Sequence, residues 1–519
     1  MSRKRRKRIW LPLLAILIFA LFLFYQQSKR VKLTLLYWSD FHAATHPYPS
    51  TEEEGASLVS GSAYFATYLD SLRALNANTI VINAGDEFTG DPLSTLTQGK
   101  AQIELLNLLN PDIFALGNHE FDYGLENLKE ALKRAQFPVI CANLVDKKKK
   151  EPFVPPYLIL NKGELRIAFI GLITEGLEKM LKEWGELEVL DAESTLAFYM
   201  NELEGKTELQ VLVSHMGIQK DKSIARKVGG LEVIIGGHSH TTLFRPLKVN
   251  NTLICQAGSR GRYIGKLELF LNSKGEILDY HNNLVETFIA GIKPDDLVKN
   301  KIDELEKNLG VELDQRIGEL ETPWIRKDKE ESNIGNFLAD AMRSYAKADV
   351  AFTNSGGIRK NLRAGPITVR DIYEIAPFSD HLVTIELTGE ELLKVLEKNC
   401  RKGGIDMLQV SGIKYSYTLE RPFGERVIEV KVNKKDLVPN KRYKVVINDY
   451  ILEHSKDFLG IPKHNLKYKF LPDLDREVFI REVKKRGIIN SKVEGRIVRL
   501  EKIAEKVVDF NLETAEVVR

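Results

Sequence analysis

The run GNHEFDYG, Gly117 to Gly124, decides how the rest of the chain reads. It follows the apolar stretch DIFAL, so Asn118, His119 and Asp122 stand just past the end of a predicted strand. The same arrangement recurs along the first half of the chain. Asp40 and His42 follow LLYW, Asp86 follows VINAG, His215 follows VLVS, and His238 and His240 sit in GGHSH after EVII. Open α/β sheets build their sites at strand C-termini. Five of the ten histidines fall in these clusters, so the histidines are concentrated where a site is expected.

The segments between the clusters fix the class. KLTLLYW, NTIVINAG, DIFALG, PVICANL, RIAFIGLI, LQVLVSH and LEVIIGG are short and rich in branched apolar residues, as buried strands are, while 125–135 carries helical periodicity. A layered α/β domain over 31–285 follows. Residues 286–325 read as a helical linker, with Ile302 and Leu305 among many charges, and a second α/β unit spans 326–500 before a tail at 501–519.

With 519 residues, 43% hydrophobic and 28% charged, the chain is an ordinary globular one, and collagenous and low-complexity classes are excluded. Its net charge of +3 is uneven: residues 1–39 hold nine Lys or Arg and no acid, leaving 66 basic against 72 acidic residues elsewhere. The body therefore offers no basic surface for a nucleic-acid polymer. Six basic residues, 3–8, precede the apolar run 9–25, which as a helix is about 26 Å long, just enough to span a bilayer. No small-x-small cleavage site follows. Residues 1–30 are thus expected to be a cytoplasmic basic tail and an uncleaved membrane anchor, with the rest extracytoplasmic. Cys141, Cys255 and Cys400 are far apart and are expected to be buried thiols.

Asp40, His42, Asp86, Asn118, His215, His238 and His240 form a donor set suited to Mn, Zn, Co or Fe. Seven donors exceed the needs of one ion and point to two divalent metal ions sharing a carboxylate, the arrangement that clamps both oxygens of a phosphoryl displacement. His119 stays outside the set because Asp122 is spaced to orient its ring. On these residues alone the chemistry is metal-assisted hydrolysis of an anionic ester.

DFH, GDEFTG, GNHEFDYG, SHMG and GGHSH, in this order, resemble the calcineurin-like metallophosphoesterases, and with the second unit the 5'-nucleotidase family, which includes UDP-sugar hydrolases and 2',3'-cyclic-nucleotide phosphodiesterases. The resemblance implies a β-sandwich flanked by helices and a smaller C-terminal α/β domain. It implies that Asp40, His42, Asp86 and His240 hold one metal, that Asp86 bridges to a second held by Asn118, His215 and His238, and that His119, oriented by Asp122, stabilises the transition state and protonates the leaving oxygen. It also implies that Asn354, Gly356, Gly357 and Arg359 of NSGGIR bind the substrate, that Phe378 and Tyr450 sandwich the base, and that Asp457 belongs to the same pocket. The implied substrate is a nucleotide or related phosphoester. Two positions depart from the pattern: Glu330 stands where relatives often carry Arg, and EHSKDF follows the second aromatic. A thiosulfohydrolase of sulfur oxidation on the same fold, or a catalytically silent binding protein, are the alternative readings.

Overall fold

The computed structural model describes residues 30–51, 55–177, 186–400 and 406–500. The anchor expected at 9–25 and the tail 501–519 lie outside these residues. Among the described residues no helix is long and apolar enough to cross a membrane. The chain forms two compact units, divided between Glu312 and Leu313.

The first unit contains strands β1 Val31–Trp38, β2 Thr79–Asn83, β3 Ile113–Ala115, β4 Val139–Ile140, β5 Tyr157–Lys162, β6 Leu165–Ile173, β7 Leu209–His215, β8 Val233–Gly236, β9 Leu247–Val249, β10 Thr252–Cys255, β11 Tyr263–Leu271 and β12 Ile277–Glu286. They make two six-stranded sheets, in the orders β12-β11-β1-β2-β3-β4 and β9-β10-β8-β7-β6-β5. The central pairs β1–β2, β2–β3, β6–β7 and β7–β8 are parallel, so their C-terminal ends collect at one edge of each sheet.

Alternation along β1 shows why the strand reads as one apolar run. Leu33, Leu35 and Tyr37 enter the core between the sheets with Ile167, Phe169, Val211 and Val213. Leu36 and Trp38 face the opposite way, into a second core with Phe65, Leu69, Ile103 and Leu106 of helices α1 Ser62–Arg73 and α2 Lys100–Leu109. From Leu33 onward both faces of the strand are covered, so its side chains there are apolar apart from the buried Thr34. Each such side chain contributes about 1.5–3 kcal/mol on burial. Helices α3 Ala192–Leu203 and α4 Ile218–Lys227 cover the outer face of the second sheet through Leu196, Leu203 and Ile224.

The stretch read as a linker holds helix α5 Asp296–Lys307, whose Val298 and Ile302 are buried in the core of the first unit. These two residues one turn apart, with Leu305 partly buried beside them, dock the helix on the first unit, although most of its remaining surface is charged.

The second unit is built on strands β13 Val350–Asn354, β14 His381–Thr388, β15 Leu408–Ser411, β16 Arg442–Asn448 and β17 Tyr468–Leu474, in the order β15-β13-β16-β14-β17. Helix α6 Asn333–Ala346 begins at Ser332, whose Oγ accepts the Gly335 N–H at 3.1 Å. Helix α7 Asp475–Arg486 completes the elements used below. Cys141, Cys255 and Cys400 are free thiols, and all three are buried.

Candidate active site

Main-chain bonds join the strand-end loops before any side chain takes part. Asp40 N donates to Gly85 O at 2.8 Å and His42 N to Asp86 O at 2.9 Å, joining the loops after β1 and β2. Asp40, His42, Asp86, His238 and His240 all adopt left-handed backbone, with φ between 49° and 74°. Non-glycine residues take this conformation at a cost of order 1–3 kcal/mol each, and it persists where the surroundings impose it. Here it turns five side chains to the same place.

The side chains expected to act together do meet. Asp86 Oδ2 lies 3.0 Å from His215 Nε2 and 4.0 Å from His119 Nε2. Asp40 Oδ1 lies 3.5 Å from His240 Nε2, which in turn is 2.9 Å from His42 Nε2. Asn118 Oδ1 accepts from His238 Nδ1 at 2.8 Å. Donor atoms of Asp40, His42 and His240, of His42, Asp86 and His119, and of Asp86, His215 and His238 form three overlapping groups, each within 4.8 Å. His42 and Asp86 are the shared members. β1, β2 and β3 are neighbours in one sheet and β7 and β8 in the other, so the donors come from both sheets. His119 Nδ1 donates to Asp122 Oδ2 at 2.6 Å, and Thr89 Oγ1 donates to the same oxygen at 2.6 Å.

The electrostatics are those of a cation site. Burial pushes Asp40 up to about 7, partly opposed by the charge of His215. Burial also acts to raise Asp86, but His215 and His119 face it and hold it well below the usual carboxylate range. His215 is pushed up to about 10: burial opposes its protonation, and Asp86 and Asp40 overcome that. His238 is lowered to about 4 by burial and by His215. A positive charge is therefore favoured between Asp86 and Asp40.

The residues fit a divalent cation. His215 Nδ1 donates to Ala84 O at 2.6 Å, which directs Nε2 toward the carboxylates, and Nε2 is fully buried with no well-formed hydrogen bond. Such an atom, facing carboxylates and neighbouring imidazoles, matches the ligand chemistry of borderline divalent metals.

Residues 33–242 match the calcineurin-like phosphoesterase model, and residues 316–461 match the model of the 5'-nucleotidase C-terminal domain. The chain belongs to the calcineurin-like phosphoesterases that carry a 5'-nucleotidase C-terminal domain. It is 28% identical to a trifunctional nucleotide phosphoesterase protein of Bacillus subtilis over 83% of this chain, and spans 33% of that relative's length. It is 27% identical to a snake venom 5'-nucleotidase of Crotalus adamanteus, over 90% of this chain and 88% of the relative. A 5'-nucleotidase precursor from Thermus thermophilus superposes with a TM-score of 0.82 at 29% identity, covering 91% of this chain and all of that one. A sulfate thiohydrolase from the same organism shares the fold, with a TM-score of 0.77 at 21% identity over 91% and 97% of the two chains.

Within the 5'-nucleotidase C-terminal domain, Asn354 ends β13 and accepts the Asn448 Nδ2 donor at 3.1 Å. A side chain on Gly356 would sit 2.3 Å from Asp406 Oδ1, so only glycine lets that carboxylate approach, and Gly357 packs against Asn354. Arg359 lies over the Phe378 ring at 5.9 Å. Tyr450 stacks on His454 at 4.4 Å and meets Phe458 edge-on at 5.9 Å. Asp457 is exposed on the short turn Ser455–Phe458. The structure thus pairs Arg359 with Phe378, and Tyr450 with Phe458.

Three supporting residues escape sequence reasoning. Arg476 of α7 donates to Phe378 O at 3.3 Å and Ser379 Oγ at 3.1 Å, fixing the loop that carries Phe378. Glu87 accepts from Trp38 Nε1 at 2.8 Å and Asn83 Nδ2 at 2.6 Å under the β2 loop. Glu120 is fully buried among backbone amides. Glu87 and Glu120 carry a signal, their places inside GDEFTG and GNHEFDYG, and Arg476 carries none.

Proposed function

We propose that the chain is a phosphohydrolase using two divalent metal ions, which releases phosphate from 5'-nucleotides or related nucleotide esters. The observation that carries this reading is the set of overlapping donor groups around Asp86, with the His119–Asp122 pair beside it. The names of the relatives, a nucleotide phosphoesterase and 5'-nucleotidases, supply the substrate class.

Asp40, His42 and His240 would hold one ion and Asn118, His215 and His238 the other, with Asp86 as the carboxylate shared by both. When bound, the pair supplies Lewis-acid charge to the phosphoryl oxygens and acidifies a water. The chain's own residues do the rest. Asp122, fixed by Thr89, keeps one proton on His119 Nδ1, so His119 presents Nε2 to the reacting centre and, as imidazolium, donates its Nε2 proton to the leaving oxygen. Arg359 offers a guanidinium to the phosphate, and Phe378 and Tyr450 offer ring faces to the base. We assign residues 9–25 as the membrane anchor, which places the enzyme where it meets nucleotides outside the cytoplasm.

The fold shared with a sulfate thiohydrolase keeps a second reading open to test. Phosphate and sulfate release are measured across nucleotide monoesters, cyclic nucleotides, UDP-sugars and sulfur conjugates, with metal content determined on the same preparation. Phosphate release from nucleotides that tracks metal occupancy is the expected result. Sulfate release alone selects the second reading, and a metal-loaded protein inert to every ester refutes hydrolysis altogether.

A further inference from the structure

Glu120 lies in the middle of the GNHEFDYG run, and the mechanism above gives it no part. Its carboxylate is fully buried and accepts four main-chain N–H groups. Oε2 takes Gly117 N at 2.7 Å and Asp86 N at 3.0 Å, and Oε1 takes Glu87 N at 2.7 Å and Phe88 N at 3.3 Å. One side chain thus ties the loop after β3 to the loop after β2. The lock is reciprocal, because His119 N donates to Asp86 Oδ1 at 2.8 Å. It is also tight: a Cβ on Gly117 would lie 2.3 Å from Asp86 Oδ1 and 2.5 Å from Asp86 N. Asp86 is left-handed at φ 60°, a conformation that needs its surroundings to hold it, and its amide and the two that follow all point to Glu120.

We infer that Glu120 is a positioning residue for the cation pair: it fixes the backbone of Asp86, and with it the spacing of the two ions, without touching either. The inference rests on the two-ion reading. Its chemistry makes a sharp test. In Glu120→Gln one acceptor oxygen becomes an NH₂ group, and whichever way the amide is turned that group faces two N–H donors. Two hydrogen bonds are lost while size and shape are kept. Glu120→Asp keeps both acceptors and shortens the reach by one methylene, so it serves as the partial variant. Glu331→Gln is the matched control. Glu331 is a buried carboxylate of the second unit that accepts Glu494 N at 2.7 Å, Arg496 N at 2.6 Å and Ile497 N at 3.2 Å.

The experiment titrates metal-free full-length protein with Mn²⁺ by calorimetry and measures amide exchange at 86–88 before metal is added. Outer-shell changes of this kind weaken metal binding about 10–100-fold. Glu120→Gln is expected to fall in that range and to exchange faster at 86–88, with Glu120→Asp between it and the wild type and Glu331→Gln unchanged. In turnover, kcat falls while KM for the nucleotide stays within about threefold, and excess Mn²⁺ recovers part of the loss. Wild-type Mn²⁺ affinity and unchanged exchange in a folded Glu120→Gln protein would overturn the inference. So would failure of both Glu120 variants to fold, because the carboxylate would then hold the domain and not the site. A wild-type protein that binds no Mn²⁺ would instead refute the two-ion reading, and the exchange measurement would still report whether Glu120 holds the loop.

Discussion

Replacing Asp221 with Asn should abolish a pH dependence of stability that the wild-type first unit carries. Asp221 lies on α4, fully buried, with Oδ1 accepting from Ser214 Oγ at 2.5 Å and no hydrogen bond to Oδ2. A Cβ on Gly236 would sit 2.6 Å from that oxygen, so the backbone closes over it. Burial pushes this carboxyl from 3.8 up to about 7. The folded state therefore holds the proton more tightly than the unfolded chain. The resulting stability is present below pH 4 and is lost as pH rises to about 7, where the ionised group sits buried with one oxygen unsatisfied. A shift of about three pKa units corresponds to roughly 4 kcal/mol, of which roughly 3 kcal/mol falls between pH 5 and pH 8. Asn keeps the acceptor for Ser214 and has no charge to bury, but its extra N–H adds a penalty of about 1–3 kcal/mol at every pH. That constant cancels when two pH values are compared. Thermal unfolding of metal-free protein should show the variant gaining on the wild type by about 6–12 °C between pH 5 and pH 8. An offset equal at both pH values would refute the reasoning.

Asp86→Ala removes the carboxylate shared between donor groups and should lower both metal content and kcat, the latter by at least about a thousandfold, as metal analysis beside phosphate release would register. His119→Ala and Asp122→Asn should each keep wild-type metal content while kcat falls about 10²–10⁴-fold and less respectively, and loss of bound metal in either would move these residues into the ligand set. Phe378→Ala should raise KM for nucleotides by about 5–150-fold, the worth of one stacked base, and leave kcat nearly unchanged; a kcat-dominated loss would assign the ring to the chemistry.

The metal-donor candidates were legible because each is a polar residue breaking an apolar strand at its C-terminal end, and a parallel sheet brings such ends together. Alternation of Leu35 and Leu36 between two cores explains why β1 announced itself as buried without revealing which sheet it joined. The docking of α5 was hidden because its apolar positions, Val298, Ile302 and Leu305 with the exposed Leu297, are scattered among many charges. The roles of Glu120 and Arg476 were hidden for another reason: apart from Ser379 Oγ, the partners named for them are backbone groups, which every residue possesses, so little in the pairing of residue types marks them. His454 packs on Tyr450 through a four-residue helical spacing.

The left-handed turns at Asp40, His42, Asp86, His238 and His240 place the geometry of the donors in the main chain. On the proposed function, a scaffold of this kind is insensitive to what it processes: new esters would be accommodated by exchanging residues around Arg359 and Phe378, while the spacing of the donors would be inherited unaltered. Retuning that spacing would demand rebuilding several loops at once, a change that single substitutions do not reach.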